Sequence, residues 1–134
     1  MKRRISVCAT CVLVVLSMLG CATMPRQIRP TTSEPFAGRW VGTWRSYNGP
    51  FSGELDLEVF RLTDDQARFA VKLTNAVVSG FSLTVDLRQG ELVYTSERLD
   101  MTFTLHGENH LEAEYNNKRI GDRGGWYLDR VTSK

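Results

Sequence analysis

Cysteine is missing from most of this sequence. All three cysteines, Cys8, Cys11 and Cys21, lie within the first 21 positions, and none follows. A domain built from the later residues therefore has neither a disulfide framework nor a thiolate metal site. Cys8 and Cys11 have the spacing of a CxxC motif, but they stand in an apolar stretch, which disfavours redox or metal chemistry there.

An excess of charge of one sign is also missing. The chain has 17 Lys and Arg residues against 15 Asp and Glu residues, and Lys2, Arg3 and Arg4 account for three of the basic ones. Without these three, 14 basic residues face 15 acidic ones. The rest of the chain thus has no basic field for nucleic acid and no polybasic patch for anionic lipid. We expect no nucleic-acid partner.

Catalytic motifs are absent as well. The sequence contains no nucleophile elbow, phosphate loop, HExxH helix or Cys–His pair. Its only histidines, His106 and His110, flank a turn that contains Glu108. Two imidazoles on adjoining strands could bind a metal, but no third ligand is evident, and a pair of solvent-exposed turn histidines is favoured. The sequence predicts no enzymatic activity, no metal site and no cofactor.

What the sequence does have begins with its leader. Lys2, Arg3 and Arg4 form a positive segment, and the 15 mostly apolar residues 5–19 carry no charge. A membrane-spanning helix usually needs about 20 apolar residues, so this stretch is short for a permanent span. Its length and its positive flank are typical of a secretory signal peptide. We assign residues 1–20 to such a peptide.

The end of the leader, Ser17-Met18-Leu19-Gly20-Cys21-Ala22, resembles the lipobox of bacterial lipoproteins. The resemblance implies cleavage between Gly20 and Cys21 and diacylation of the Cys21 sulfur. Met18 departs from the Leu that the family prefers. In that family, Asp at the position of Ala22 is linked to retention in the inner membrane. Because Ala stands there instead, the resemblance implies an outer-membrane lipoprotein facing the periplasm. The alternative is an ordinary cleaved leader with an incidental cysteine.

The segment after Cys21 has the composition of a tether. Residues 21–35 include Pro25, Pro30 and Pro35 and the polar run Thr31-Thr32-Ser33-Glu34. Proline lacks a backbone donor and favours an extended chain, so we expect a semi-extended spacer between the lipid and the folded domain.

From Phe36 onward, apolar and polar residues alternate with a period of two, which indicates β-strands. Six stretches show the alternation clearly, while 91–96 and 125–131 carry apolar residues on both faces. A change of phase near Val59 and Phe60 suggests a β-bulge. The inward-facing residues are predicted to be Trp40, Trp44, Leu55, Leu57, Val59, Ala67, Phe69, Val71, Leu73, Phe81, Leu83, Val85, Leu87, Leu99, Met101, Phe103, Leu105, Leu111, Ala113 and Tyr115.

Eight short strands joined by short turns favour an antiparallel meander. Closing the sheet removes its hydrophobic edges, so an all-β, eight-stranded up-and-down barrel over residues 36–134 is the preferred fold, with a two-sheet β-sandwich as the alternative. A barrel that spans an outer membrane puts its apolar side chains outward. Here the polar phase carries most of the charges, so the apolar side chains must be inside, and we expect a soluble barrel.

Two Gly-x-Trp sequences, Gly38-Arg39-Trp40 and Gly42-Thr43-Trp44, stand on the first strand. This resembles the opening strand of lipocalins and avidins, which are eight-stranded ligand-binding barrels. The resemblance implies that Arg130, on the last strand, packs over a tryptophan and closes one barrel end. The domain is shorter than a typical lipocalin, lacks its usual cysteines, and has too few tryptophans for the biotin site of avidins.

An eight-stranded barrel either fills its interior with side chains or holds one small ligand. The large inward residues favour filling, whereas a cavity would be lined by Trp40, Trp44, Tyr94, Tyr115 and Trp126. The leading hypothesis is an envelope lipoprotein that binds a small apolar ligand or an acyl chain. The alternative is a protein-interaction module, such as an envelope-assembly factor or an inhibitor. The chain resembles lysozyme-inhibiting lipoproteins in its size and in its expected location but lacks their disulfide.

Overall fold

The computed structural model describes residues 29–132. A short 3₁₀ helix, Glu34–Phe36, leads into eight strands. The strands are β1 (Gly38–Ser46), β2 (Ser52–Thr63), β3 (Gln66–Leu73), β4 (Gly80–Arg88), β5 (Glu91–Thr95), β6 (Leu99–His106), β7 (His110–Asn117) and β8 (Asp122–Arg130).

Each strand pairs antiparallel with the next one in sequence, and β8 pairs with β1 to close the barrel. The closure brings Trp44 opposite Trp126 and Trp40 opposite Arg130. The prediction of a closed eight-stranded up-and-down barrel is confirmed, and the β-sandwich alternative is excluded. The alternating sequence produces this result because side chains on a strand point in turn to the two faces of the sheet.

The apolar phase of every strand lies inside the barrel. The fully buried side chains include Trp40, Leu57, Phe69, Phe103 and Leu128, and they come from five different strands. Phe69 and Phe103 meet edge to face with ring centroids 4.4 Å apart. Burying large apolar side chains of this kind contributes about 1.5–3 kcal/mol each, which makes this core the main source of stability.

The barrel has two different ends. At one end, which we call the closed end, the turns 64–65, 89–90 and 107–109 lie beside the 3₁₀ helix. At the other, which we call the mouth, the loops 47–51, 74–79, 96–98 and 118–121 surround an opening. The pairing of β4 with β5 covers only Asp86–Val93, Leu87–Leu92 and Arg88–Glu91, next to the closed end. The mouth half of β4 is therefore unpaired on that side.

Two sequence expectations need correction. The register shift of β2 lies between Arg61 and Thr63 rather than near Val59 and Phe60. Val59 is buried and Phe60 is exposed, so the inward phase continues unbroken at that point. Leu62 is also exposed, and it lies between the two residues at which the register shifts.

The folded domain also begins before residue 36. The Ser33 side chain is fully buried; its hydroxyl donates to the Thr63 carbonyl at 2.6 Å, and its backbone N–H donates to the Asp64 carbonyl at 2.8 Å. Ser33 and the 3₁₀ helix thus belong to the closed end instead of the tether. Ser33 thus binds backbone groups at the β2–β3 turn, a role that composition does not reveal. The rest of the tether, up to residue 28, lies outside the described residues.

Candidate functional site

The mouth half of the barrel contains a cavity of about 830 Å³. Its inner wall is mostly apolar and comes from β1, β3, β4, β6, β7 and β8. The lining side chains within the barrel are Trp44, Leu73, Phe81, Leu83, Leu99, Met101, Tyr115 and Trp126. Small-molecule sites in proteins usually occupy 300–1,000 Å³ and are lined mainly by apolar and aromatic side chains. The cavity is of that kind.

Aromatic rings form the cavity floor. Trp126 lies against Phe103, with ring centroids 5.7 Å apart, and faces Phe81 at 6.2 Å. Phe103 in turn packs on Phe69, below the cavity. Edge-to-face contacts of this geometry add about 0.5–1.5 kcal/mol beyond burial. The two expectations for the interior, filled and hollow, therefore each describe one half of the barrel: the half toward the closed end is packed, and the mouth half is open.

Trp44 is fixed in the cavity wall by a hydrogen bond. Its indole Nε1–H donates to the Thr74 carbonyl at 2.9 Å, which satisfies the one polar group of a buried ring. Gly53 makes the contact possible, since a Cβ on that residue would lie 2.5 Å from the indole nitrogen. The bond ties β1 to the loop 74–79 at the mouth.

A polar group of three residues lies at one edge of the cavity. The Tyr115 hydroxyl donates to Asp122 Oδ2 at 3.0 Å, and the Ser46 hydroxyl donates to Asp122 Oδ1. Burial and the neighbouring carboxylate raise the pKa of Tyr115, so its hydroxyl keeps the proton that it donates. Two donors from β1 and β7 therefore hold the Asp122 carboxylate in place at the start of β8.

Exposed apolar side chains surround the opening. Val77, at the tip of the loop 74–79, is 99% exposed, and Phe51, Val78 and Ile120 are each more than half exposed. We call Phe51, Val77, Val78 and Ile120 the mouth rim. Single exposed apolar residues are ordinary, whereas these four lie around one opening.

The closed end is built around Trp40 and Arg130. The Arg130 guanidinium carbon lies 4.2 Å from the centre of the Trp40 ring, the contact implied by the resemblance to lipocalins. Arg130 also donates to the carbonyls of Glu108, Ala37 and Pro35 at 2.9, 2.6 and 2.6 Å. Partial burial lowers its pKa. The fully buried Trp40 donates from Nε1 to the Phe36 carbonyl at 2.9 Å.

Three of the five residues expected to line a cavity do so: Trp44, Tyr115 and Trp126. Trp40 does not, because it lies in the packed half under Arg130. Tyr94 does not line the cavity either; it is half-buried and packs against the core beside Met101. Gly20 and Cys21 lie outside the described residues, so cleavage and lipidation stay predictions.

Ser46 and Asp122 are site residues that the sequence reasoning missed. The last alternating stretch is predicted to begin at residue 125, whereas β8 begins at Asp122. Extending the inward alternation backward from Leu128 and Trp126 gives Gly124 and then Asp122. The same extension on β1, from Trp40 through Trp44, gives Ser46. A strict two-residue count was the signal that could have found both.

The two histidines lie beside Glu112 and Asp129 on the outer surface near the closed end. His110 contacts Asp129 from Nδ1 at 3.0 Å and Glu112 from Nε2 at 3.1 Å, and His106 Nε2 lies 3.3 Å from Glu112. The hydrogen bond to Asp129 and then that to Glu112 raise the pKa of His110. Within residues 29–132, no cluster of three or more His, Cys, Asp or Glu residues has a geometry that could hold a metal ion.

No helix in the described part of the chain is long and apolar enough to span a membrane. No family model matches the chain, and no curated protein matches it in sequence. Among solved structures, the zebrafish ileal bile acid-binding protein in complex with cholic acid is similar. Its sequence identity is 14% and its TM-score 0.47, over 73% of this chain and 99% of that chain. So distant a likeness concerns shape, and we transfer neither ligand nor site residues from it.

Proposed function

We propose that this protein is an envelope lipoprotein, anchored through lipid on Cys21, whose barrel binds a small apolar ligand in the mouth-half cavity. The observation that carries the proposal is the cavity itself. The cavity has a volume of about 830 Å³ and has aliphatic and aromatic walls, whereas large side chains fill the other half of the barrel. Leaving so much apolar surface unpacked costs stability, and a ligand that occupies the space recovers the lost contacts.

The positions of the two barrel ends support an anchored binding module. The described chain enters the barrel at the closed end, where Ser33 binds the β2–β3 turn, and the mouth lies at the opposite end of the barrel. The chain between Cys21 and Ser33 reaches at most about 40 Å when fully extended. A barrel strand of nine residues is about 30 Å long. The tether is thus long enough for the mouth to turn toward the membrane that carries the anchor.

Binding is tested with N-phenyl-1-naphthylamine, an uncharged apolar dye whose emission rises in apolar surroundings. Leu83 lines the cavity, whereas its neighbour Thr84 points outward from the same strand. We expect the wild-type protein and Thr84→Trp to enhance the emission equally, and Leu83→Trp to weaken dye affinity at least about tenfold, since the larger ring occupies part of the cavity. Absence of enhancement by the wild-type protein contradicts the proposal.

The anchor is tested separately in the bacterial host with radioactive palmitate. We expect the wild-type protein to be labelled and Cys21→Ala to be unlabelled. Cys8→Ala is the matched control and should keep the label, because Cys8 lies within the segment that is removed. Labelling that persists in Cys21→Ala rules out the lipid anchor, and leaves the binding activity of the barrel to stand on the dye experiment.

The mouth rim favours a second candidate, a module that binds a protein partner. Four exposed apolar side chains on three loops offer a contact surface that ligand binding inside the barrel does not require. The inhibitor version of this hypothesis is checked by adding the purified domain to lysozyme and measuring hydrolysis of bacterial cell walls. Inhibition by the wild-type protein that is lost in Val77→Ser would support it.

A further inference from the structure

The charges that line the cavity are of one sign. Among the described residues, no Lys, Arg or His side chain lines it, and Asp122 provides its one carboxylate. Asn48, Asn75 and Asn117 add neutral polar groups near the opening. A ligand head group that enters this cavity therefore meets a fixed negative charge and no fixed positive charge.

The Asp122 carboxylate is held so that it can accept further hydrogen bonds. Ser46 donates to one oxygen and Tyr115 to the other, and a carboxylate has about four acceptor sites in all. Both donors are on the barrel wall, and the carboxylate borders the cavity. Its unused acceptor sites can receive an N–H or O–H from a ligand, whereas a second carboxylate has no proton to offer.

Cations do occur near the mouth, but they belong to its outer surface. Lys118 pairs with Asp100, with Nζ 3.0 Å from Oδ2. Arg98 and Arg119 lie on the loops 96–98 and 118–121 and are exposed. Arg123 follows Asp122 on β8, so its side chain points to the opposite face of the sheet. None of the four lines the cavity.

We propose that the cavity selects apolar ligands whose head group donates hydrogen bonds and carries no negative charge, and that it rejects fatty acids and other carboxylates. This inference rests on the proposed function, since it specifies the ligand of the same cavity. Asp122 is the specificity-determining residue: it accepts a hydrogen bond from an alcohol or ammonium head group and repels a carboxylate. Repulsion between like charges is stronger beside apolar walls than in bulk water.

The test compares three compounds with the same alkyl chain: lauryl alcohol, laurylamine and laurate. Each is titrated at neutral pH against bound N-phenyl-1-naphthylamine. We expect the alcohol or the amine to displace the dye at a concentration at least about tenfold below that of laurate. The order of the alcohol and the amine then shows whether a neutral or a cationic donor is preferred, and both orders support the proposal.

The role of Asp122 is tested with Asp122→Asn, which keeps the side-chain shape and removes the charge. We expect this variant to bind laurate more tightly and to lose most of the discrimination. Asp86→Asn is the matched control, because Asp86 contacts Gln66 on the outer surface near the closed end. It should discriminate as the wild-type protein does. If Asp122→Asn does not fold, as judged by its circular dichroism, the wild-type comparison still decides the proposal.

Each result has one meaning. Laurate that displaces the dye as readily as the alcohol and the amine overturns the selectivity and leaves apolar-ligand binding intact. Laurate binding that is lost in Arg119→Ala overturns it too, because a loop cation would then supply the missing charge. A wild-type protein that does not bind the dye at all instead contradicts the proposed function.

Discussion

Arg130 joins four parts of the closed end through one guanidinium group. It lies over Trp40 and donates hydrogen bonds to carbonyls that precede β1 and to the β6–β7 turn. The planar guanidinium group of arginine, whose hydrogen-bond donors point in fixed directions, suits this arrangement better than the ammonium group of lysine does. At the scale of the residue, the closed end depends on side-chain geometry more than on charge.

We expect Arg130→Met to lower the free energy of unfolding by about 3 kcal/mol, because it leaves three carbonyls without their donor and removes the cation–π contact. Urea unfolding followed by circular dichroism measures the loss. Arg130→Lys is the control, and it should recover less than half of the stability. A loss below about 0.5 kcal/mol in Arg130→Met, the size of an ordinary surface substitution, contradicts the role assigned to Arg130.

Gly42 lies where the backbone of β8 approaches β1 too closely for a side chain. A Cβ on this residue would lie 1.8 Å from the Tyr127 carbonyl oxygen and 2.8 Å from the Leu128 Cα, so β1 and β8 would have to separate. We expect Gly42→Ala to cost about 2 kcal/mol or more in urea unfolding. Gly49→Ala, in a mouth loop, faces only the flexible Phe51 ring and should cost less than about 0.5 kcal/mol. Equal losses in the two variants would show that β1 and β8 are not held this closely.

At the scale of the element, β7 and β8 are linked on their outer faces by His110. Its contacts with Asp129 and Glu112 raise its pKa above the ordinary value of 6.5. A raised pKa in the folded state means that folding favours the protonated form. The contribution to stability is therefore fully present below pH 6.5 and disappears as the pH rises through the raised pKa.

We expect the urea concentration at the unfolding midpoint of the wild-type protein to decrease as the pH is raised from 6 to 9. Part of this decrease should be absent in His110→Gln. The side chain is partly exposed, so the effect should be smaller at high salt. His106→Gln serves as the comparison, since His106 also contacts Glu112. A pH dependence that is identical in His110→Gln and the wild-type protein would rule out His110 as its source.

The strands could be predicted from the sequence because one physical cause, the burial of alternate side chains, acts along their whole length. The inner faces of β3 and β6 carry apolar residues along their whole length. The pattern was insufficient where small or polar residues take inward positions, as Ser46 and Asp122 do at the mouth. It was also insufficient at Ser33, which is buried through hydrogen bonds to backbone groups of a distant turn.

At the scale of the whole molecule, the sequence left open whether the barrel is filled. The volume enclosed depends on how far the strands separate, and residue types do not specify this. β4 and β5 pair only next to the closed end, where Trp40, Phe69 and Phe103 pack the interior. The two halves have different tasks: one supplies the stability, and the other supplies an apolar space.

Trp44 and Trp126 line the cavity, whereas Trp40, the remaining tryptophan, lies in the packed half. The most direct measurement is therefore the quenching of tryptophan emission by a brominated alkyl alcohol, since bromine quenches only rings that it closely approaches. We predict strong quenching in the wild-type protein and almost none in the double variant Trp44→Phe/Trp126→Phe, which keeps only Trp40. Unquenched wild-type emission, or equal quenching in the double variant, would contradict binding in the mouth-half cavity.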